Sequence, residues 1–153
     1  MSEPDVQLCV LEIGQETYVV DLKRVEEILP AQVATPVPRA PAFLEGVVKL
    51  RGEIVPVVDV RKRLGVVPRS TTTADPRVKR RERMVVCKLG RRRVGFLVDA
   101  VTRVLRVART DLKPAPLTAT PGKRPHILGV VGQAGGQLKL MLDLLALVGD
   151  DAS

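Results

Sequence analysis

The hydrophobic positions of the chain fall into short, valine-rich runs that alternate with turn-forming residues, which is the pattern of β-strands. Four pairs of these runs are joined by short turns that contain glycine, as in β-hairpins. The pairs are 6–13 with 17–20, 47–50 with 54–58, 83–89 with 93–98, and 127–133 with 137–142. One further apolar run, 99–107, predicts another strand. The pattern therefore predicts a fold made mainly of hairpins.

Short helical segments are predicted at three places between or after these strands. They cover 21–29, 59–65 and 143–148. In the first, apolar residues recur at helical spacing, Asp21 is suited to cap the start, and Pro30 ends the helix. In the second, Asp59 begins the turn and Gly65 ends it.

Proline-rich and polar segments connect these elements. Residues 31–41 and 114–125 each contain several prolines and are predicted to be extended. Residues 67–82 are polar and rich in threonine, which predicts a mobile surface loop between two halves of the chain. Each half has hairpins, a proline-rich connection and a final Asp-initiated turn. We therefore predict an all-β fold with short helices, in which two small β-barrels share one hydrophobic core.

Composition narrows this prediction to one folded unit with an aliphatic core. The chain has 153 residues, of which 45% are hydrophobic and only 2% aromatic, and this length suits one domain or two packed lobes. No apolar run is long enough to cross a bilayer. The acidic start, residues 1–5, lacks the basic and apolar regions of a signal peptide. We therefore expect a cytoplasmic protein.

The two cysteines, Cys9 and Cys87, each lie within an apolar run. Their separation along the chain excludes a local Cys-x-x-Cys redox or zinc motif. Because free cysteine is commonly a buried residue, we predict that both thiols belong to the core.

The net charge of +8 comes from one stretch of the chain, residues 77–93, which contains nine Lys or Arg residues and one acid. The remaining positive and negative charges balance. The basic residues that we single out are Arg77, Lys79, Arg80, Arg81, Arg83, Arg91, Arg92 and Arg93. A solvated surface, a contact with an acidic partner and an auxiliary nucleic-acid surface all fit such a stretch. The scarcity of aromatic residues, which would stack on bases, argues against nucleic acid as the main partner.

The residues that carry enzymatic chemistry are sparse. His126 is the only histidine, so a catalytic triad or a two-histidine metal site is impossible within one chain. Neither GxxxxGK[ST] nor GxGxxG occurs. Glu26 and Glu27 are adjacent, and neighbouring residues on one element point apart rather than forming a shared acid-base site. We therefore predict no catalytic residue, no metal site and no cofactor, and a protein that acts by binding other proteins.

Several motifs, in a fixed order along the chain, resemble those of the CheW family, the coupling proteins of bacterial chemotaxis. The most specific is Leu50-Arg51-Gly52 followed by Ile54-Val55-Pro56-Val57 and Asp59. The others are Gly14 with Tyr18, Val25 with Glu27-Ile28, Pro41-Ala42-Phe43 with Gly46-Val47, Leu64-Gly65, Leu89-Gly90, Val94-Gly95 with Val98-Asp99, Val101, Val104, Pro114-Ala115-Pro116 and Leu128-Gly129. The resemblance spans residues 6–148.

The resemblance implies two SH3-like, five-stranded β-barrels packed around a shared hydrophobic layer. It implies a single domain over 1–153, with one lobe at about 15–85, the remainder in the other, and strands exchanged at the ends. It also implies a non-enzymatic adaptor that couples the cytoplasmic tip of a methyl-accepting chemoreceptor to the regulatory domain of a CheA-type histidine kinase. We would then expect the protein at chemoreceptor arrays.

The resemblance also assigns contact residues. The receptor-binding positions map to Val25, Glu27, Gly46, Arg51, Gly95, Val101 and Val104. Val25 would supply apolar burial, Glu27 and Arg51 opposite charges that fix orientation, and Gly46 close backbone approach. From the residues alone, Val25 fits a core position, Glu27 a solvated acid, and Gly46 a tight turn equally well.

Kinase contacts are expected at Lys113, Leu117 and Thr118. Relatives that form rings with the kinase carry an aromatic residue shortly after the segment matching Pro114-Ala115-Pro116, where this chain has Leu117-Thr118. An adaptor that binds receptors but not the kinase is therefore the alternative.

Overall fold

The computed structural model describes residues 5–114, 126–132 and 138–149, and its strands form two sheets. One sheet consists of strands from both ends of this range: β1 (Asp5–Ile13), β2 (Glu16–Asp21), β8 (Ala100–Ala108), β9 (Leu112–Pro114), β10 (Ile127–Val131) and β11 (Lys139–Leu142). The other consists of the strands between them: β3 (Val25–Pro30), β4 (Leu44–Leu50), β5 (Glu53–Asp59), β6 (Arg83–Leu89) and β7 (Arg92–Val98).

The strand orders are β8-β1-β2-β11-β10-β9 and β3-β6-β7-β5-β4. Strand pairs are antiparallel except β2 with β11 and β5 with β7. Beyond the end of β3, Thr35 forms an isolated bridge to Val47 of β4, so the two edges of the five-stranded sheet approach each other as in a barrel. The mainly-β fold with two sheets is confirmed. One sheet has six strands where five were expected, and the strands of the five-stranded sheet lie within 25–98. The division into lobes at about 15–85 and the remainder stays a prediction.

A central hydrophobic layer is formed by residues of both sheets. It includes Cys9 and Leu11 of β1, Cys87 of β6, Phe96 of β7 and Leu147 of the last helix. Smaller apolar clusters fill the inside of each sheet. The layer is mostly aliphatic, as the composition predicts, and it joins the two sheets in one core.

The predicted burial of both cysteines is confirmed, and both thiols are free. Burial raises the pKa of Cys9, and burial together with the nearby Cys9 raises the pKa of Cys87 to about 12. Both therefore stay protonated in the folded protein at neutral pH, which suits a packing role.

Three α-helices of five residues each lie in the described part of the chain. They are α1 (Val60–Leu64), α2 (Pro76–Arg80) and α3 (Leu144–Val148). Asp59 caps α1, and Gly65, in the left-handed region at φ 72°, ends it; Asp143 caps α3. The helical segments predicted at 59–65 and 143–148 are thus confirmed. None of these helices has the length that crossing a membrane requires.

The segment 21–29, predicted as helical, is a strand over most of its length. Only Leu22–Arg24 form a 3-10 turn, where the Asp21 side chain accepts a hydrogen bond from a backbone N–H at 2.9 Å, as expected of a cap. β3 follows and pairs with β6, with a bulge between Val25 and Glu27. A bulge interrupts the period of two along a strand, so the apolar spacing imitates that of a helix. The helix prediction was wrong, and the cap was right.

The segment 67–82, predicted as a mobile loop, contains a 3-10 turn at Arg69–Thr71 and helix α2. The Asp75 side chain accepts a hydrogen bond from the N–H of Arg77 at 3.0 Å at the start of α2. The segment therefore has local structure of its own, and its mobility stays a prediction.

A buried ionic network lies where the two sheets meet. The Arg61 guanidinium donates to Asp59 at 2.8 and 3.2 Å, to Glu82 at 2.8 Å and to Asp99 at 3.1 Å. Its side chain is only 4% exposed. Burial by itself lowers the pKa of Arg61, but the hydrogen bonds to Asp59 and Glu82, with the charge of Asp99, outweigh it and hold that pKa above its ordinary value. Arg61 is therefore charged, and it balances part of the charge of three buried carboxylates.

Backbone and side-chain donors extend this network to the six-stranded sheet. Asp99 also accepts from the N–H of Gly14, in the β1–β2 turn, at 2.5 Å and from the N–H of Arg69 at 2.9 Å. Arg69 donates back to the carbonyl of Gly14, and Ser70 donates to Glu82 at 3.3 Å. The network thereby holds α1, the segment before β6 and the β1–β2 turn in one arrangement.

Candidate functional site

An ion pair joins two of the predicted receptor-binding residues across the five-stranded sheet. Arg51, in the turn between β4 and β5, lies 2.9 Å from the carboxylate of Glu27 on β3. The Arg51 side chain is 71% exposed and that of Glu27 is 22% exposed. The Arg51 guanidinium is therefore exposed, and the less exposed Glu27 carboxylate fixes its position.

The backbone of Arg51 is left-handed, with φ 47°, and Gly52 follows with φ 83°. Positive φ at both central positions is what a tight two-residue hairpin turn of the type I′ class requires. An arginine in that conformation costs about 1–2 kcal/mol relative to glycine. Retaining a side chain at such a position suggests a role for the side chain itself, because strained positions cluster at functional sites.

A second ion-pair group lies beside the first. Arg93 of β7 is within 2.8 Å of Glu26 on β3 and within 2.7 Å of Glu53 at the start of β5. Together with Glu27 and Arg51, these residues form a charged row across the end of the sheet.

This row could not be predicted from the sequence, because its members come from three separated segments. The signal for it is opposite charge on strands that become neighbours. That signal can be used only once the order β3-β6-β7-β5 is known.

The apolar residues of the predicted receptor site lie partly at the central layer. Val25 on β3 and Val101 on β8 are both half-buried and pack against that layer, so strands of the two different sheets bring them to its border. Val104 is 49% exposed on β8, an edge strand of the six-stranded sheet. The structure therefore leaves apolar surface available at these three residues.

The two glycines of the predicted receptor site are buried. Gly46 has φ 143°, and a Cβ there would overlap the carbonyl of Thr35. Gly95 lies in β7, inside the sheet, where a Cβ would come within 2.8 Å of Met84. Both glycines therefore allow close packing within the five-stranded sheet. Their assignment to the receptor site stays a prediction.

Of the predicted kinase contacts, Lys113 is exposed on β9, at the edge of the six-stranded sheet opposite β8. Leu117 and Thr118 lie outside the described residues.

The basic stretch does not form one continuous surface. One group lies at or beside α2, before or at the start of β6: Arg77, Lys79, Arg80, Arg81 and Arg83. The second group lies at the other end of β6: Arg91, Arg92 and Arg93. A strand of seven residues separates the two groups by about 20 Å.

Carboxylates and carbonyls already engage several of these arginines. Arg77 pairs with Asp75 at 2.9 Å and Arg81 with Glu12 at 3.3 Å. The hydrogen bonds from Arg77 hold the pKa of Asp75 below its ordinary value. Arg83 donates to the backbone carbonyls of Arg80 and Glu82. The charge available to an external anion is therefore smaller than the sequence suggests.

Comparison with known proteins gives consistent matches over nearly the whole chain. The sequence profile of the CheW-like domain matches residues 7–152. The chemotaxis protein CheW of Rhizobium meliloti is 36% identical, over 88% of this chain and 83% of that protein. The protein FrzA of Myxococcus xanthus is 31% identical, over 89% of this chain and 80% of that protein.

Among solved structures, the scaffolding protein TtCheW of Thermoanaerobacter tengcongensis superposes with a TM-score of 0.82. The match covers 100% of this chain and 92% of that protein, at 24% identity. At that level of identity the likeness concerns the fold.

Proposed function

The chain belongs to the family of CheW-like domains, and from that premise we propose that it couples methyl-accepting chemoreceptors to a CheA-type histidine kinase. Proteins of this family are chemotaxis scaffolds and adaptors, not enzymes. Such a protein acts by holding its partners in one assembly, so that a change in one partner shifts an equilibrium in the other. The proposal places it at chemoreceptor arrays.

The observation that best supports receptor binding is the ion pair of Glu27 and Arg51. An exposed ion pair contributes at most about 1 kcal/mol to folding, so it does not account for an arginine held in a left-handed turn. A guanidinium oriented by one carboxylate retains free N–H groups for a second acceptor. We therefore assign Arg51 as the residue that an acidic or carbonyl group on the receptor would bind, with Glu27 orienting it.

Apolar burial would come from Val25, Val101 and Val104. These residues lie on β3 and β8, on either side of the junction between the sheets. A helix of a receptor tip lying along that junction would cover apolar surface from both sheets. The charges at one end would then fix its register and direction.

A second candidate is an adaptor that binds the receptor without the kinase. Leu117-Thr118 in place of an aromatic residue favours it, since an aromatic anchor supplies a large share of the energy of many protein interfaces.

The test is co-purification of the chain with a receptor-tip fragment and with the kinase regulatory domain, separately and together. Coupling predicts binding to each and a ternary complex when all three are mixed. Receptor binding alone would support the second candidate, and binding to neither would refute both. Arg51→Ala should lose the receptor fragment, whereas Arg77→Ala, which removes another exposed ion pair, should keep it.

A further inference from the structure

A cleft of about 580 Å³ opens on the outer face of the five-stranded sheet, beside α3. Ile54, Pro56 and Val58 alternate along β5 and line it, whereas Val55 and Val57 between them face the inside of the sheet. Val94 of β7 and Val148 of α3 complete an apolar floor. Val58, Val94 and Val148 are buried members of the central layer, so the floor is the place where that layer reaches the cleft, whereas Ile54 is exposed in it.

Ile54 is the most exposed part of that floor, with 64% of its surface accessible. Its position at the start of β5 cannot be explained by packing, because its side chain does not belong to any of the apolar clusters of the described chain. An exposed apolar residue inside a concave site, rather than alone on a convex surface, is typical of a contact with another protein.

The rim of the same cleft is basic. Its basic residues are Lys88, Arg91, Arg92 and Arg93, and Glu53 is the acidic residue of the lining. Arg93 is neutralised by its two carboxylates. For Lys88, Arg91 and Arg92 the described residues provide no ion-pair partner. The cleft therefore combines an apolar floor with three uncompensated positive charges.

We propose that this cleft docks an acidic, amphipathic segment of a partner protein. Its apolar side chains would cover Ile54 and the floor, and its carboxylates would face Lys88, Arg91 and Arg92. Charge of opposite sign at the rim steers such a segment and sets its direction, while the apolar floor supplies burial.

Nucleic acid fits this surface less well. None of the residues that line the cleft is aromatic, so bases have no stacking platform. The cleft includes Arg93 and Glu53 of the charged row, but neither Glu27 nor Arg51, to which the receptor contact is assigned, lines it.

The probe for a binding experiment is a fluorescein-labelled helical peptide with leucines along one face and glutamates on the other. Its counterpart carries lysine at every glutamate position. Fluorescence anisotropy should show that the chain binds the glutamate peptide, more weakly as salt increases, and leaves the lysine peptide free. The double variant Arg91→Glu/Arg92→Glu should bind the glutamate peptide at least about tenfold more weakly, and Ile54→Ser should also weaken it severalfold.

The matched control is Arg77→Glu/Arg80→Glu, which changes the net charge equally at α2. Its affinity for the glutamate peptide should stay within about twofold of wild type once salt screens distant charge. Circular dichroism should show unchanged melting for all variants, since Ile54, Arg91 and Arg92 are exposed.

Three results would overturn the proposal. The first is no binding of the glutamate peptide, and the second is equal loss in the rim and control variants. The third is duplex DNA competing for Arg91 and Arg92 with no effect of Ile54→Ser, which would make the rim a phosphate-binding surface. Receptor-fragment binding by Arg91→Glu/Arg92→Glu should be unchanged, so failure here leaves the proposed coupling function intact.

Discussion

At Arg51 the backbone and the side chain have opposing effects on stability. The left-handed conformation destabilises a residue with a Cβ by about 1–2 kcal/mol, and the exposed pair with Glu27 returns at most about 1 kcal/mol. Glycine would therefore fold at least as well there. The arginine is consistent with a function that needs a guanidinium at the tip of this turn.

Replacing Arg51 by glycine separates the two effects. We expect the free energy of unfolding of Arg51→Gly to be unchanged or to rise by up to about 1 kcal/mol, because lost strain offsets the lost pair. Binding of the receptor-tip fragment should weaken at least about tenfold. Urea denaturation and a binding titration on the same samples measure both.

Arg39 provides the control, because it is the other non-glycine residue with positive φ among the described positions, at 64°. Arg39→Gly should show a similar change in stability and no loss of receptor binding. Wild-type affinity in Arg51→Gly would remove Arg51 from the proposed site.

His126, the sole histidine, gives a residue-scale test of the junction between α1 and α3. Burial first, and then the charge of Arg63, lower its pKa from 6.5, against the smaller opposing effect of Asp143. The unfolded chain therefore binds more protons than the folded one near and below pH 6.5. The free energy of unfolding should fall as the pH drops through this range and level off below the folded pKa.

A proton NMR titration measures this directly, since only one imidazole contributes. We expect a midpoint below 6.5 in the folded protein. His126→Gln should lose this component of the pH dependence of stability. A midpoint at or above the ordinary value would contradict the burial of this side chain.

At the scale of elements, the hairpins and caps could be predicted from the sequence, because each depends on residues close together in the chain. Asp59 and Gly65 bound α1 as expected. The strand β3 could not be predicted in this way. Leu22 and Val25 pack on the central layer, while Leu29 packs inside the five-stranded sheet. Residues that fit one helical face therefore occupy different environments on either side of a bulge.

The buried network was equally hidden, because Arg61 and Glu82 look like ordinary surface charges in the sequence. Their burial depends on α1 and the start of β6 coming together with the corner before β8.

The candidate site could also be predicted only in part. The resemblance supplied Glu27 and Arg51, but their pairing could be recognised only from the order of the strands. The close neighbours of Gly46 and Gly95 likewise became visible only in the folded chain.

Removing the guanidinium from the network should be among the most damaging single changes. Arg61→Leu removes the ion-pair partner that the described residues provide for buried Asp59 and Asp99 and leaves Glu82 with Lys79 alone, at 4.0 Å. We expect a loss of about 3–5 kcal/mol. Urea denaturation of the variant and of wild type at neutral pH measures this loss.

The matched change is Arg77→Leu, which breaks an exposed pair of similar length and should leave the denaturation midpoint where it was. Equal effects of the two variants would mean that the network at Arg61 is accessible to water and contributes little.

At the scale of the whole molecule, the shared layer should make the two sheets unfold together. Cys9 reports on the six-stranded sheet and Cys87 on the five-stranded sheet, since each lies in one of them and both lie in the layer. We expect both thiols to resist a thiol reagent in the native protein. Both should then become reactive at one denaturant concentration, coincident with the loss of circular dichroism.

Single variants, Cys9→Ala and Cys87→Ala, identify which thiol reacts. Reaction of one thiol at a clearly lower denaturant concentration would show that one sheet unfolds independently, against the interpretation of a common core.

The strand order also has a consequence for synthesis on the ribosome. All the strands of the five-stranded sheet have been made once Val98 has been added, so that sheet can assemble early. β1 and β2 are made before it, yet their neighbours β8 and β11 come after it. The outer edges of the β1–β2 hairpin therefore stay unpaired while most of the chain is translated. A pause or premature stop in that interval would leave an aggregation-prone edge attached to a barrel that is otherwise complete.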